Sequence, residues 1–567
     1  GGAGSGKTTI GLHRLAYLAY NEPKRFRRDK MLVVVFNKAL ARYISKVLPA
    51  LGVEGVPVVI YEEWVTKLRR DHFPILPKEV ADETPLAVSR MKKSPAMLTL
   101  INTRVNEVEQ RILNTLLGAA AEEADRELLR RAWRETVKQA LSVRLEMLSR
   151  WAQSERSLAQ PVRRAIQGAV SRHARGTADV LSVWSEMLTD LTALKKVFAE
   201  QTNNDLADHE LLEAHQWCVR RCPQVASEWD DHLEEGTRPD PAETDDTARD
   251  SAREARREES SDTDGVELPA GLRPGADSSD DFDDRDDEQV QTDLPTLIDH
   301  EDETLLLLLY QRLRGPLMTH KQREVIEFEH VLVDEAQDLS PVELSVVMSI
   351  TTPQRSITLA GDVAQRLHMD NGFSGWSDVL AQLGLSHVEI EPLKLSYRST
   401  YEIIEYAHQI LGPLAPEEMG KATRGGAPVE LFRFAHSGDA VGFLSEALRD
   451  LARAEPRASI AVIARYAEQA DLYYKGLVNA EVPNVRRVAD QDFPFKPGVD
   501  VTDVRQVKGL EFDYVILLEA NTATYPTSDE ARHLMHIAAT RAAHQLWLTC
   551  TAEPSLLIPE LLRKRGY

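Results

Sequence analysis

The sequence begins with a phosphate-binding loop, and this motif limits the possible folds more than any other part of the chain. Residues 1–8 read Gly-Gly-Ala-Gly-Ser-Gly-Lys-Thr, which is the G-x-x-x-x-G-K-[ST] pattern. In such a loop the backbone N–H groups surround a polyphosphate, the lysine reaches the outer phosphates and the Ser/Thr hydroxyl ligates Mg²⁺. The residues predicted to bind a nucleoside triphosphate are Gly1, Gly2, Ala3, Gly4, Ser5, Gly6, Lys7, Thr8 and Thr9, with Thr8 also a metal ligand.

Of the two elements that normally flank such a loop, a strand before it and a helix after it, the sequence contains the helix. Ile10 to Tyr20 has helical character and places the positive end of a helix at the phosphates. A strand normally leads into such a loop, but the sequence starts with Gly1 and not with Met. We therefore expect a chain truncated at its N-terminus that binds ATP more weakly than its intact parent, and any adenine-recognition segment upstream of Gly1 cannot be read from this sequence.

The composition indicates a large protein of a reducing compartment. A chain of 567 residues is long enough for two or three domains. It has three cysteines and no run of about 20 apolar residues, so we expect a cytoplasmic protein that does not enter a membrane. Cys218 and Cys222 lie one helical turn apart, but two thiols without further ligands make a poor metal site and are more simply free thiols.

The net charge of −22 comes from one segment. Between Glu228 and Glu303 there are 29 acidic and 7 basic residues, so the rest of the chain is neutral. This composition cannot bury enough apolar surface to offset its ordering entropy, and we expect disorder over residues 230–293. One basic cluster, Lys24 to Lys30, is either a solvated loop or a contact to nucleic acid or a protein partner.

The hydrophobic pattern predicts an α/β protein with an insertion. Short β-branched runs such as Met31–Phe36 and His330–Val333 alternate with helices, whereas Ile75 to Trp229 reads as helical throughout. Further strands are expected at Val56–Ile60, Ser356–Leu359, Val429–Phe434, Ile460–Ile463, Tyr514–Leu518 and Leu546–Thr549. The predicted divisions are a first lobe (1–74 and 299–394), a helical insertion (75–229), an acidic segment (230–298) and a second lobe (395–567).

A strand that ends in two carboxylates supplies the expected partner of the loop. Residues 331–338 read Val-Leu-Val-Asp-Glu-Ala-Gln-Asp. At the end of such a strand, Asp334 would hold Mg²⁺ and Glu335 would orient and deprotonate the attacking water.

These motifs resemble those of the UvrD/Rep-like superfamily 1 helicases. Residues 334–338 (DEAQD) are similar to the family's second motif, and residues 359–365, 395–399, 507–513 and 537–542 are similar to later motifs in the family's order. The resemblance implies two RecA-like lobes with ATP and Mg²⁺ in the cleft between them. It also implies roles for four side chains: Gln365 as γ-phosphate sensor, Arg398 and Arg541 as arginines that reach the phosphates from the opposing lobe, and Glu511 near the ribose and the lobe interface.

Two departures from the UvrD/Rep helicases bear on the target of this chain. Only about 110 residues separate Arg398 from Lys508, where those helicases carry a large extra domain, and the aromatic residues that stack on bases are replaced by Arg366-Leu367-His368. Both departures resemble the HelD-type ATPases, which bind bacterial RNA polymerase and help to release it. Residues 43–49, 301–317 and 376–380 are also similar to that group. Its acidic loop implies that residues 230–293 enter the polymerase channel, and a solvated spacer is the alternative.

Three functions follow from these resemblances. The first is an ATPase that releases RNA polymerase, the second a monomeric 3′–5′ DNA helicase or translocase in repair, and the third a binding factor that has lost hydrolysis. The expected partners are therefore core RNA polymerase, or single-stranded or tailed duplex DNA.

Overall fold

The computed structural model describes most of the chain. The described residues are 5–81, 83–155, 157–173, 178–201, 206–234, 297–320, 324–354, 356–366, 371–416 and 421–565. Residues Gly1 to Gly4 of the predicted loop and residues 235–296, which hold most of the acidic segment, lie outside these ranges.

The first sheet has four parallel strands in the order β2-β1-β3-β4. They are β1 (Met31–Val35), β2 (Val58–Ile60), β3 (His330–Val333) and β4 (Ile357–Leu359). β1 and β3 are buried along their whole length, as expected for strands covered on both faces. The strands predicted near residues 31, 56, 330 and 356 are thus confirmed, and they form the core of the first lobe.

Helices cover this sheet before and after a long helical insertion. Those preceding the insertion are α1 (Lys7–Asn21), α2 (Lys38–Ala50) and α3 (Tyr61–His72). The inserted helices are α4 (Leu86–Lys93), α5 (Ala96–Gly118), α6 (Glu123–Glu135), α7 (Leu141–Ser154), α8 (Gln160–His173), α9 (Ala178–Thr189), α10 (Leu191–Glu200) and α11 (Asp208–Glu234). The helices α12 (His300–Leu313), α13 (Pro341–Ser349) and α14 (Trp376–Gln382) then return the chain to the first lobe.

The insertion joins the first lobe through buried ion pairs at the start of α12. Lys92 of α4 lies 2.6 Å from both Asp299 and Asp302, and Arg69 of α3 bonds Glu303 at 3.0 Å. All five side chains are almost fully buried, so each charge requires its partner. The two Lys92 pairs therefore attach the insertion to the lobe, whereas the Arg69–Glu303 pair joins two helices of the lobe itself.

The second sheet has six parallel strands in the order β7-β12-β11-β8-β10-β9. They are β7 (Glu430–Arg433), β8 (Ser459–Ala464), β9 (Val485–Arg487), β10 (Gly498–Asp503), β11 (Phe512–Leu517) and β12 (Ala542–Cys550). A separate pair joins β5 (Leu395–Ser396) to β6 (Lys421–Ala422). The helices of this second lobe are α15 (Tyr401–Leu411), α16 (Ser437–Ala454), α17 (Ala467–Asn479), α18 (Asp529–Ala539) and α19 (Glu560–Arg565).

The described residues also bear on the cysteines, the basic cluster and the apolar helices. Cys218 and Cys222 are buried free thiols, and no group of three or more metal-ligating side chains occurs in the described part of the chain. In the basic cluster, Arg25 bonds Glu329 at 2.9 Å and Arg27 pairs with Asp29. Part of the positive charge of the cluster is therefore neutralised by carboxylates of the same chain. No described helix is long and apolar enough to cross a membrane.

Candidate nucleotide-binding site

The predicted nucleotide residues meet at the carboxyl ends of β3 and β4. Gly6 precedes α1 with a φ of 77°, a left-handed conformation that glycine adopts without strain. Thr8, in the first turn of α1, donates a hydrogen bond of 2.6 Å to Asp334, which follows β3. Lys7 lies 3.5 Å from Asp362, which follows β4. The described part of the loop is therefore held against both strand ends.

Thr8 and Asp334 are suited to hold a divalent cation. A hydroxyl and a carboxylate are hard oxygen donors of the kind Mg²⁺ prefers, and here they are already in contact. Burial, and then the neighbouring Glu335, raise the pKa of Asp334 to about 7. A bound cation would favour the ionised carboxylate, so this site has the chemistry that Mg²⁺ requires.

Glu335 is held in an unusual conformation beside this pair. Its backbone φ of 54° is left-handed, which is uncommon for a residue with a side chain. Burial, the largest single effect, raises the pKa of Glu335. The positive charges of Lys508, Lys7 and Arg541 act in the opposite direction, and the net shift of the pKa is downward. The carboxylate is therefore ionised near neutral pH and could accept a proton from water.

Gln337 orients Glu335, and the sequence analysis did not single it out. Its side-chain amide donates to Glu335 at 2.6 Å, and its carbonyl oxygen accepts from the backbone N–H of Asp362 at 2.8 Å. A Cβ on Gly361 would lie 2.2 Å from this oxygen, so only glycine fits there. The sole signal in the sequence was the position of Gln337 within the DEAQD string.

Gln365 and Arg541, from the two lobes, contact each other. Gln365 donates to Asp362 at 2.8 Å, and its carbonyl oxygen accepts a hydrogen bond from Arg541. Arg541, at the end of α18, is 1% exposed and also donates to the backbone oxygens of Ile537 and Leu510 at 3.0 and 3.1 Å. One chain of contacts thus links Lys7, Asp362, Gln365 and Arg541 across the lobes.

Arg398 and Glu511 form an ion pair at the second lobe's side of the cleft. Burial, and then the nearby Arg541, lower the pKa of Arg398 to about 9, while Glu335 and Asp334 oppose this shift. Arg398 therefore lies within electrostatic reach of both carboxylates of the first lobe. In the described structure, Glu511 contacts Arg398 through this ion pair.

Lys508 makes an ion pair across the lobes, with Asp338. Both side chains are at most 1% exposed, and the Lys508 ammonium also lies 5.6 Å from the ring centre of Phe36. The side-chain amide of Asn37 donates to the backbone oxygen of Lys508 at 3.1 Å. In the sequence, Lys508 belongs to the motif at residues 507–513, and no role was predicted for it.

Comparison with known protein families agrees with this geometry. The UvrD/REP helicase N-terminal domain matches residues 1–368, and the UvrD-like helicase C-terminal domain matches residues 498–549. The chain belongs to the UvrD/Rep helicase family. Members of this family are ATP-dependent hydrolases that use a divalent metal and bind DNA.

Other comparisons give less. One solved structure, the C-terminal domain of a possible DNA helicase from Lactobacillus plantarum WCFS1, is 26% identical and covers 30% of this chain and 96% of its own, with a TM-score of 0.25. No curated protein matches the chain.

One aromatic residue that follows the motif associated with base stacking, Phe373, is buried. Phe373 is 1% exposed and packs edge-to-face on Trp376, with 5.2 Å between ring centres. The ring of Phe373 is therefore not available to a base. Residues 367–370, which include the replaced positions Leu367 and His368, lie outside the described ranges.

A groove between the lobes has a mixed charge. A cavity of about 730 Å³ lies between α2, α3 and residues 489–491. Its lining includes the carboxylates of Glu62, Glu63, Asp71 and Asp490 and the cations of Lys38, Lys67 and Arg70. Lys38 is already 3.5 Å from Glu63. The groove therefore lacks the excess of positive charge that a nucleic-acid backbone favours.

Proposed function

We propose that this helicase-family chain hydrolyses ATP between its two lobes. Lys7 and the loop would bind the phosphates, Thr8 and Asp334 would hold Mg²⁺, and Glu335 would accept the proton of the attacking water. The contact of Thr8 with Asp334, beside an ionised Glu335, supports these roles.

The second lobe would complete the site when it closes on ATP. In the described structure the predicted sensor Gln365 accepts from Arg541, and Arg398 pairs with Glu511. A bound γ-phosphate would compete with both partners for the guanidinium groups. Fixed cations there stabilise charge on the transferred phosphoryl group, an effect worth roughly 10³–10⁵ in rate in related enzymes. Exchange between these two sets of partners would couple hydrolysis to lobe movement.

We further propose that the target of this motor is bacterial RNA polymerase, which a HelD-like factor would release or recycle. The observation that carries this proposal is the position of the extra helices. Helices α4–α11 lie between β2 and β3, whereas the described elements between Arg398 and Lys508 are β6–β10 and α15–α17 of the second lobe. On the same basis we propose the boundaries of the lobes and of the insertion that the sequence predicts. We also propose that the motor is monomeric and acts in the bacterial cytoplasm.

The interlobe groove supports the same target. Single-stranded DNA is held by lysines, arginines and stacking aromatic rings. Here four carboxylates face three cations in the groove, and Phe373 is buried. Such a surface favours a protein partner over bare DNA.

A 3′–5′ DNA helicase or translocase in repair is the second candidate. The family match over residues 1–368 and 498–549 favours it, because DNA is what helicases of this family bind. A binding factor without hydrolysis is the least supported function, since every residue proposed above to take part in hydrolysis is present in the sequence.

Two assays separate these candidates. A pull-down with core RNA polymerase should retain the chain if it is a polymerase-releasing factor, and unwinding of a duplex with a 3′ tail should then be absent. The Glu335→Gln variant is the matched control, because it should still bind polymerase but no longer turn over ATP. Robust unwinding without polymerase binding would overturn the HelD-like proposal and support the DNA motor.

A further inference from the structure

We propose that Lys508 is a positioning residue for hydrolysis: its ammonium group, brought by the second lobe, holds the carboxylate of Glu335 in place through Asp338 and Gln337. This inference rests on the proposed ATPase activity. Lys508 would then affect the orientation of Glu335 but not the binding of ATP.

The first step is the buried pair itself. Lys508 and Asp338 are 1% and 0% exposed, so neither charge has solvent to compensate it. Removing one partner of a buried pair leaves the other uncompensated, which is strongly unfavourable. Asp338 therefore depends on a cation that belongs to the other lobe.

The second step connects Asp338 to Glu335. The amide nitrogen of Gln337 lies 2.6 Å from a Glu335 oxygen and 3.3 Å from an Asp338 oxygen, so one NH₂ group serves both carboxylates. With Lys508 in place, Asp338 is neutralised and the shorter bond goes to Glu335. Without Lys508, Asp338 becomes the stronger acceptor and would draw this amide away.

The third step is how the second lobe places Lys508. Asn37 of the first lobe donates to the Lys508 backbone oxygen at 3.1 Å and caps α2 by accepting from Leu40 at 2.8 Å. The next residue, Gly509, has a φ of 77°, and a Cβ there would lie 3.3 Å from the Leu40 side chain. The backbone at Lys508 is thus packed on α2, and the ammonium reaches Asp338 only while the lobes are together.

A kinetic comparison of three variants tests this role. Lys508→Met should lower kcat by about 10²-fold, the usual cost of misplacing a reacting group. The dissociation constant of a fluorescent ATP analogue should change by less than about threefold, because the described contacts of Lys508 are with Asp338, Asn37 and Phe36. Lys508→Arg, which keeps the charge, should retain most of the activity.

The double variant Lys508→Met/Asp338→Asn tests whether Lys508 acts through Asp338. A neutral amide at position 338 needs no cation, so kcat should recover at least tenfold from the single Lys508→Met value. Melting temperatures of all variants identify a loss of folding. The proposal is overturned if the double variant stays as slow as the single one, or if ATP affinity falls in parallel with kcat. A wild-type chain that binds the analogue without hydrolysing it would instead refute the proposed ATPase.

Discussion

Thr8 donates a hydrogen bond of 2.6 Å to Asp334, although 326 positions separate the two residues in the chain. The bond joins the first turn of α1 to the end of β3, so the two proposed Mg²⁺ ligands meet only after the first lobe has assembled. The same contact places Glu335 beside the loop. Metal binding and the position of the proposed base therefore depend on one junction.

Replacing Glu335 with glutamine should stop hydrolysis without preventing ATP binding. Glutamine keeps the shape and the contact with Gln337 but cannot accept a proton. We expect phosphate release to fall by about 10²–10⁴-fold, while a fluorescent ATP analogue binds with similar affinity. Glu553→Gln, at an exposed position, is the matched control. Unchanged turnover in Glu335→Gln would show that this site does not hydrolyse ATP.

Replacing Arg541 with lysine should slow hydrolysis while the fold is retained. The guanidinium contacts Gln365 and two backbone oxygens at once, which a single ammonium group cannot do. We expect kcat to fall by at least about 10³-fold. Arg532→Lys serves as control, because Arg532 lies on α18, which precedes Arg541, and bonds the backbone oxygen of Ile410. Equal effects of the two substitutions would argue against a special role for Arg541.

Replacing Arg69 with methionine should destabilise the first lobe. Glu303 would remain buried and charged, at a cost of about 3–5 kcal/mol. Arg69→Met/Glu303→Gln should regain most of this loss, whereas Arg70→Met, at the neighbouring exposed position, should have little effect. Urea unfolding measures all three. A double variant as unstable as Arg69→Met would mean that lost packing, and not the uncompensated charge, causes the effect.

His330 should make the first lobe sensitive to acid. Burial, with a smaller contribution from the positive Arg14, lowers the pKa of His330 to about 4. The unfolded chain therefore takes up a proton below about pH 6.5 that the folded chain does not, and stability is lost as the pH falls from about 6.5 to about 4.

Replacing this histidine with glutamine should remove that part of the pH dependence. Between about pH 7 and about pH 5, His330→Gln should lose less unfolding free energy than the wild type, by up to ~1.4 kcal/mol per pH unit. His13→Gln, at an exposed position of α1, should follow the wild type. Parallel curves for His330→Gln and the wild type would contradict this.

The parts of the site that are contiguous in the sequence were predictable, and those that join distant residues were not. Asp334 and Glu335 directly follow a β-branched strand, so the pattern indicated their position, and their roles stay predictions. Lys508 and Asp338 come from different lobes, and no local pattern reports such a pair. Gln337 was overlooked because its function lies in the direction of its amide, which only the packed site determines.

The fold shows the same division. The strand at His330–Val333 is a continuous apolar run, whereas β9 ends in two arginines and was not predicted. Those arginines bond Asp500 at 2.8 Å and Asp471 at 2.6 Å, so partners distant in sequence make this strand possible. The region from Ile75 to Trp229, predicted to be helical throughout, is divided into separate helices; α6 and α7, for example, are separated at residues 136–140.

The position of the insertion also has a consequence for how the protein is made. β1 pairs with β3, but the ribosome completes β3 only after roughly 300 further residues, which takes roughly 15–60 s at usual rates of synthesis. During that time one edge of the apolar strand Met31–Val35 has no neighbour, while the inserted helices can already fold among themselves. The first lobe is thus open to aggregation and to chaperones during translation, and it becomes complete only after the insertion has emerged.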